Sequence, residues 1–207
     1  MTIRTRLFAA FYDRQMARAE KAGLRDLRER LLAGAKGDVL EIGSGTGANL
    51  ACYGPAVTSL TLTEPEPAML RRLQRKASQQ APAPRVLRAP AEDLPFEDHS
   101  FDVVVCTLVL CGVDDQPRAL RELRRVLRPG GQVLFLEHLR SRDPRIARLQ
   151  DRMNWLNRIV VGCDCNRPTL DAMAEAGFTI TRAEQTELPK APPFVRPAVI
   201  GSIGIGL

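Results

Sequence analysis

The chain predicts a doubly wound α/β domain. Short apolar strands alternate with amphipathic helices, the first strand runs into a glycine-rich turn, and the last two strands flank a proline-rich loop. Such alternation implies a mostly parallel sheet covered on both faces, with seven strands in all and an antiparallel hairpin at the C-terminus. With 207 residues, 44% of them hydrophobic, the chain can bury about 70% of its unfolded surface in one core.

Residues 39–42 read as the first strand and 59–63 as the second. A helix follows that Pro67 can start and that carries Met69, Leu70 and Leu73. Residues 85–87 make a short third strand. The run Phe101-Asp-Val-Val-Val-Cys-Thr107 is continuous and β-branched, as expected of a fourth strand buried on both faces. Leu120, Leu123 and Leu127 have helical spacing, and their helix ends before Pro129-Gly130-Gly131. Residues 132–138 form the fifth strand. A helix from about residue 145 places Ile146, Leu149, Met153, Leu156 and Val160 on one apolar stripe for the core. A shorter helix over 169–175 ends at Gly177, and residues 178–182 pair with 198–205 around the loop 189–197. One domain results, with 1–35 as a helical lid, 36–140 as the binding core, and 141–207 as substrate-side helices and hairpin.

The net charge is +6, but the basic residues are spread along helices instead of clustering with aromatics, which reads as a solvated surface and not a nucleic-acid site. No apolar run approaches the ~18 residues of a membrane span. Residues 1–10 are basic but too short in apolar sequence for a secretory signal. Five cysteines (Cys52, Cys106, Cys111, Cys163, Cys165), an odd number, point to reduced thiols and a cytoplasmic location. Cys163-x-Cys165 offers two soft ligands one residue apart with no neighbouring His, a poor tetrahedral set, so no metal is expected. Cys106 and Cys111 read as small buried hydrophobes.

The stretch Asp38-Val-Leu-Glu-Ile-Gly-Ser-Gly-Thr-Gly-Ala-Asn-Leu50 carries the function. Glycines serve where backbone turns through positive φ or lies close to a ligand. Gly43-x-Gly45-x-x-Ala48 alone would also suit a dinucleotide and an oxidoreductase. Glu41 argues otherwise, because a carboxylate at that strand end repels a pyrophosphate but attracts an ammonium, directly or through water. S-adenosylmethionine (SAM) has an ammonium and no phosphate. Glu64 ends the second strand, where a carboxylate can accept from both ribose hydroxyls, although a plain surface turn is the alternative. Met69 can pack on adenine or in the core. The Ala91 backbone and Glu92, or its neighbour Asp93, can accept from the adenine amino group, and Thr107 lies at the carboxyl edge where open α/β sheets bind ligands.

Five motifs occur in order: Glu41-x-Gly43-x-Gly45-x-Gly47, Glu64, Ala91-Glu-Asp-Leu-Pro-Phe96, Ser100-Phe-Asp102 and Leu127-Arg-Pro-Gly-Gly131. Over residues 36–140 the chain thereby resembles the class I SAM-dependent methyltransferases of the ubiquinone type. Gly45-Thr-Gly-Ala-Asn49, the run 102–111, Glu137-His138, Gly162-Cys163 and Gly177-Phe178 are similar to the methyltransferase-like thiol S-methyltransferases. The resemblance implies a Rossmann-like fold and SAM as cofactor, contacted by Glu41, Gly43, Ser44, Gly45, Gly47, Glu64, Pro65, Met69, Ala91, Glu92 and Thr107. It implies a small-molecule acceptor, foremost a thiol, in a pocket with Tyr12, Leu108, Cys111 and His138. Lipid, quinone and amine acceptors are the rivals, and a non-catalytic SAM-binding module is a further reading.

A thiol reacts as thiolate and, with a pKa of about 8.5, needs little from a base. His138, at the same sheet edge as Thr107, is the candidate base. Its alternative role is structural, bonded to Glu137 or the backbone. His99, in the polar loop 97–100, is expected to be solvated only. Leu7, Phe8, Phe11, Tyr12 and Met16 share one helical face among Arg4, Arg6, Arg14 and Arg18. That helix can close over the cofactor, bringing Tyr12 to the acceptor, or make a weak peripheral contact with an anionic membrane.

Overall fold

The computed structural model describes residues 17–206, so Tyr12 and the apolar face expected over residues 7–16 lie outside the described residues. Seven strands form one sheet: β1 (Gly37–Ile42), β2 (Val57–Thr63), β3 (Arg85–Leu87), β4 (Phe101–Thr107), β5 (Leu127–His138), β6 (Thr179–Glu187) and β7 (Pro197–Gly204). Their order is β3-β2-β1-β4-β5-β7-β6. The first five run parallel. The hairpin adds β7 antiparallel to β5 and β6 antiparallel to β7. This is the predicted class, a Rossmann-like α/β sheet finished by an antiparallel pair.

Among the described residues five α-helices flank the sheet: α1 (Arg25–Leu32), α2 (Pro67–Ala77), α3 (Gln116–Val126), α4 (Pro144–Val161) and α5 (Thr169–Glu175). Three of them start by one device. An acidic residue accepts a first-turn N–H while a proline occupies a position that needs no N–H donor. Glu66 caps Ala68, Asp115 caps Arg118, and Asp143 caps Arg145.

Strand β4 is apolar and buried from Val103 to Cys106 because both its faces are covered there. Val103 and Val105 pack with Leu24, Leu31, Leu32 and Leu136 on the α1 side. Val104 and Cys106 pack with Leu120, Leu123, Phe135 and Met173 on the α3 side. Each such large side chain gains about 1.5–3 kcal/mol on leaving water.

The structure corrects three expectations. Strand β5 begins at Leu127, with Arg128–Gly131 forming an irregular step where its register with β4 shifts. Strand β6 runs on to Glu187 as a largely exposed edge, which Arg182, Glu184 and Glu187 keep polar. The apolar stripe of α4 does not face the core: Leu149, Leu156 and Val160 are exposed, together with Trp155 (63%) and Ile159 (74%). Polar Gln150 and Asn157 are buried in their place. The carbonyls of Leu139, Cys163 and Cys165 beneath the helix need donors, and the Gln150 and Asn157 amides supply them at 2.7–3.1 Å. Those buried carbonyls would otherwise be left unpaired, at about 1–3 kcal/mol each. Among the described residues no helix is long and apolar enough to cross a membrane.

Candidate active site

From β1 the chain steps through β2 to β3 on one side and then returns to lay β4 on the other. A reversal of this kind opens a crevice at the carboxyl ends of β1 and β4, the place where open α/β sheets bind ligands. The glycine turn fills its floor. Gly43 and Gly45 have φ of +55° and +57°, a region that side chains other than glycine enter only with strain. A Cβ on Gly43 would sit 2.7 Å from the Val109 methyls, so the turn is jammed against the loop that follows β4. A Cβ on Gly45 would meet nothing within 4 Å. That open space over the turn is where a ligand can lie against the backbone.

Glu64 ties the turn to β2. Its Oε2 accepts from the Gly45 N–H at 2.8 Å and its Oε1 from the Glu66 N–H at 2.9 Å. Among the described residues each oxygen accepts one backbone bond and retains a lone pair, enough for two ribose hydroxyls. Burial pushes this carboxyl above its ordinary range. The Ser44 N–H donates to the Thr63 carbonyl at 2.9 Å, and its hydroxyl faces the Glu41 carbonyl. The Gly47 N–H closes the turn on the Ser44 carbonyl.

Behind the turn lies a network that the sequence reading missed. Arg28 of α1 is 4% exposed. Its Nε donates to Glu20 at 2.9 Å, and its Nη1 donates to Asn49 Oδ1 and Thr107 Oγ1, each at 2.9 Å. Asn49 Nδ2 also donates to Thr107 Oγ1 at 3.0 Å, which leaves the Thr107 O–H as a donor. The signal was present in the sequence: Leu24, Arg28, Leu31 and Leu32 share one helical stripe, so an arginine sits among buried leucines.

Glu41 is buried and accepts a hydrogen bond from the Tyr53 hydroxyl. Burial lifts its pKa to about 7, against the Tyr53 hydrogen bond and the Arg28 charge, which favour ionisation. The ligand-free folded chain therefore keeps a proton there that the unfolded chain releases near 4.5. Between those pH values the folded state binds more protons, so Glu41 makes stability fall as pH rises from 4.5 to about 7, and adds nothing further above that. Glu41→Gln removes the penalty, on the order of 3 kcal/mol. Its melting temperature should exceed that of the parent at pH 8 and match it near pH 4.5. An equal difference at both pH values in a calorimetric scan would contradict this assignment.

The adenine-side candidates lie along the opposite lip. Ala91 is buried, Met69 in the first turn of α2 is half-buried and joins none of the core clusters, and Pro65 is exposed. Glu92 has a structural task as well: its Oε1 accepts from the Asp114 and Asp115 N–H groups at 2.9 and 3.3 Å, binding this segment to the start of α3.

Just after β4, Leu108 has φ of +59°, a strained value for leucine, and its N–H donates to the Leu136 carbonyl at 2.7 Å. The next two N–H groups, of Val109 and Leu110, converge on Glu137 Oε1 at 2.9 and 3.0 Å. Glu137 Oε2 is a buried polar atom without a partner among the described residues, and burial pushes that carboxyl up.

His138 does not bond Glu137 through its ring. Its Nδ1 lies 3.5 Å from Cys163 Sγ. Cys111, His138 and Cys163 bring their sulfur and nitrogen atoms within 4.8 Å of one another, all buried. A hydrogen bond from the Cys111 thiol, followed by His138 and Asn157, holds Cys163 below the ordinary thiol range despite burial. The same Cys111–Cys163 bond and burial push Cys111 up. The fold thus corrects the reading that Cys163 has no histidine near it, since His138 arrives from 25 residues away in sequence. His99 is also more than solvated: its Nδ1 lies 2.8 Å from the Leu127 carbonyl, and its N–H donates to the Arg125 carbonyl. All five cysteines are free thiols.

A mostly parallel sheet with a glycine turn after β1, an acidic residue closing β2 and a crevice between β1 and β4 is an arrangement that suits a nucleoside ligand. Residues 40–135 match the methyltransferase domain family. Thiol S-methyltransferase TMT1A of Homo sapiens is 32% identical over 200 residues, covering 94% of this chain and 81% of that protein. Thiol S-methyltransferase TMT1B of Homo sapiens is 36% identical over 178 residues, covering 82% and 72%. A solved SAM-dependent methyltransferase of Thermotoga maritima, described as a possible histamine N-methyltransferase, superposes with a TM-score of 0.69 at 23% identity and 96% coverage of both chains. The chain belongs to the class I SAM-dependent methyltransferases, and SAM is its cofactor. The residues present fit that cofactor, with open space over Gly45 and spare lone pairs on Glu64 beside it.

Proposed function

We propose that the chain methylates small thiols at sulfur. The observation that carries this reading is similarity over nearly the whole chain, 94% of it, to a thiol S-methyltransferase. The site supports it by what its base does: His138 is engaged with Cys163 instead of standing free, as suits an acceptor that ionises near neutrality without a strong base.

When bound, the cofactor supplies a methyl group already activated on a sulfonium. The chain's residues position and orient. Gly45 admits the ligand to the backbone, and Ser44, Gly43 and Gly47 shape the turn. Glu64 accepts from the ribose. Glu41 favours an ammonium from behind the turn, while Thr107 lines the crevice between them. Pro65, Met69, Ala91 and Glu92 form the adenine side. Leu108, Cys111 and His138 form the acceptor pocket. Alignment of the two reactants then provides much of the acceleration.

Glu64→Ala should weaken SAM binding by roughly 1.5–3 kcal/mol, the usual worth of hydrogen bonds to a charged group. Calorimetric titration measures it, and unchanged affinity would remove Glu64 from the ribose site. The acceptor reading is tested by rate against pH with thiols of different acidity. Turnover should rise with pH and level at a value that moves with the thiol supplied. A single inflection, common to all thiols, would assign the titration to the protein and count against a thiolate acceptor.

A further inference from the structure

Cys111, His138 and Cys163 come from the loop after β4, the end of β5 and the loop after α4, and they converge beyond the carboxyl ends of β4 and β5. Val109, two residues before Cys111, is the residue jammed against Gly43, so the loop that carries Cys111 packs against the glycine turn. The three residues are 1%, 6% and 8% exposed. Two sulfurs and an imidazole form a soft set that favours zinc over hard cations. The spacing agrees. With Zn–S of about 2.3 Å and Zn–N of about 2.0–2.1 Å, the S···N edge of a tetrahedron is about 3.5–3.6 Å. The Cys163 Sγ to His138 Nδ1 distance is 3.5 Å.

The surroundings are built to hold these ligands. Asn157 Nδ2 donates to Cys163 Sγ at 3.2 Å, the kind of supporting bond that steadies a metal-bound thiolate. The Asp164 N–H donates to the Cys111 carbonyl at 2.8 Å, fastening one ligand loop to the other. Arg167 adds bonds to the carbonyls of Leu110 and Val113 at 3.0 and 2.8 Å. Glu137 fixes the turn that leads into Cys111.

We propose that Cys111, His138 and Cys163 hold one Zn²⁺, and that its open fourth position takes the sulfur of the acceptor thiol. Three protein ligands and one open position are the arrangement of a catalytic zinc site. The identity of the fourth ligand rests on the thiol-acceptor reading, whereas the metal site does not. The acceptor S–H gives its proton to solvent as the Zn–S bond forms. A sulfur lone pair then makes the new C–S bond, while the methyl–sulfonium bond breaks and leaves its electron pair on the cofactor's sulfur. The methylated sulfur is an uncharged thioether, a weaker ligand that departs from the zinc.

The test is metal content of the purified full chain by mass spectrometry after dialysis. One zinc per chain is expected, falling about tenfold or more in Cys163→Ser and His138→Gln and unchanged in Cys52→Ser. SAM binding and thermal melting of each variant separate loss of metal from loss of fold. Cobalt substitution of the parent chain needs no variant: thiolate-to-cobalt charge-transfer absorption with tetrahedral visible bands is expected, and 2-mercaptoethanol should shift those bands. Equal zinc in the parent and both ligand variants, a cobalt spectrum without thiolate character, or a Cys111–Cys163 disulfide in unreduced peptides would overturn the site. Zinc-stripped protein that still methylates thiols at the parent rate would overturn the fourth-ligand assignment while leaving the acceptor reading intact. A loaded site whose cobalt bands ignore every thiol would overturn the fourth-ligand assignment.

Discussion

Gly45→Asp abolishes cofactor binding, lowering SAM affinity by about 100-fold or more, equivalent to about 2.7 kcal/mol. The backbone there has φ of +57°, which aspartate tolerates at roughly 1–2 kcal/mol. Its Cβ would meet no protein atom within 4 Å, so the chain should still fold. What it does meet is the space the ligand needs. The new carboxylate would also stand beside Glu64, whose Oε2 lies 2.8 Å from the Gly45 nitrogen, so the site gains a like-charge pair. Titration calorimetry alongside a thermal melt checks both halves of the expectation. A folded variant with unchanged SAM affinity would place the cofactor elsewhere.

Arg28→Ala should destabilise the ligand-free protein by about 3–5 kcal/mol, the cost of breaking a buried charge network by removing one partner. Asn49 Oδ1 loses its charged donor, Thr107 keeps only the bond from Asn49, and Glu20 loses its partner. Glu41 loses the cation that offsets its burial and should hold its proton to still higher pH. Arg28→Lys should rescue little, because a single ammonium cannot reproduce the fork that spans Glu20 on one side and Asn49 with Thr107 on the other. Denaturant unfolding measures the loss. A change below about 1 kcal/mol would show that these bonds contribute no more than an exposed pair does.

These two positions differ in how far the sequence exposed them. The turn at Gly45 was legible because its signal is local: a strand, a spaced set of glycines and an acidic residue at the next strand end. Strand β4 was legible for a similar reason, since burial on both faces leaves an uninterrupted β-branched run. Arg28 was hidden because its partners lie 21 and 79 residues away, although its place in a leucine stripe marked it as buried. The same distance effect hid the meeting of Cys111 and Cys163 with His138, which no local spacing encodes. Helix α4 misled in the opposite direction. Its apolar periodicity is real, but the carbonyls of the 139 and 163–165 segments claim the face that carries Gln150 and Asn157. Unpaired backbone oxygens, which periodicity cannot register, decided how that helix turned.

The most direct measurement of what the site does is a competition for labelled methyl groups. The full chain is given methyl-labelled SAM with an equimolar panel of an aliphatic thiol, a phenol, a primary amine and phosphatidylethanolamine vesicles, and the labelled products are separated. The site described here predicts label in the thioether, formed in preference to every oxygen and nitrogen product. Label accumulating in the amine or the phospholipid, with the thiol untouched, would contradict a thiol acceptor and leave a SAM-dependent methyltransferase of another substrate class.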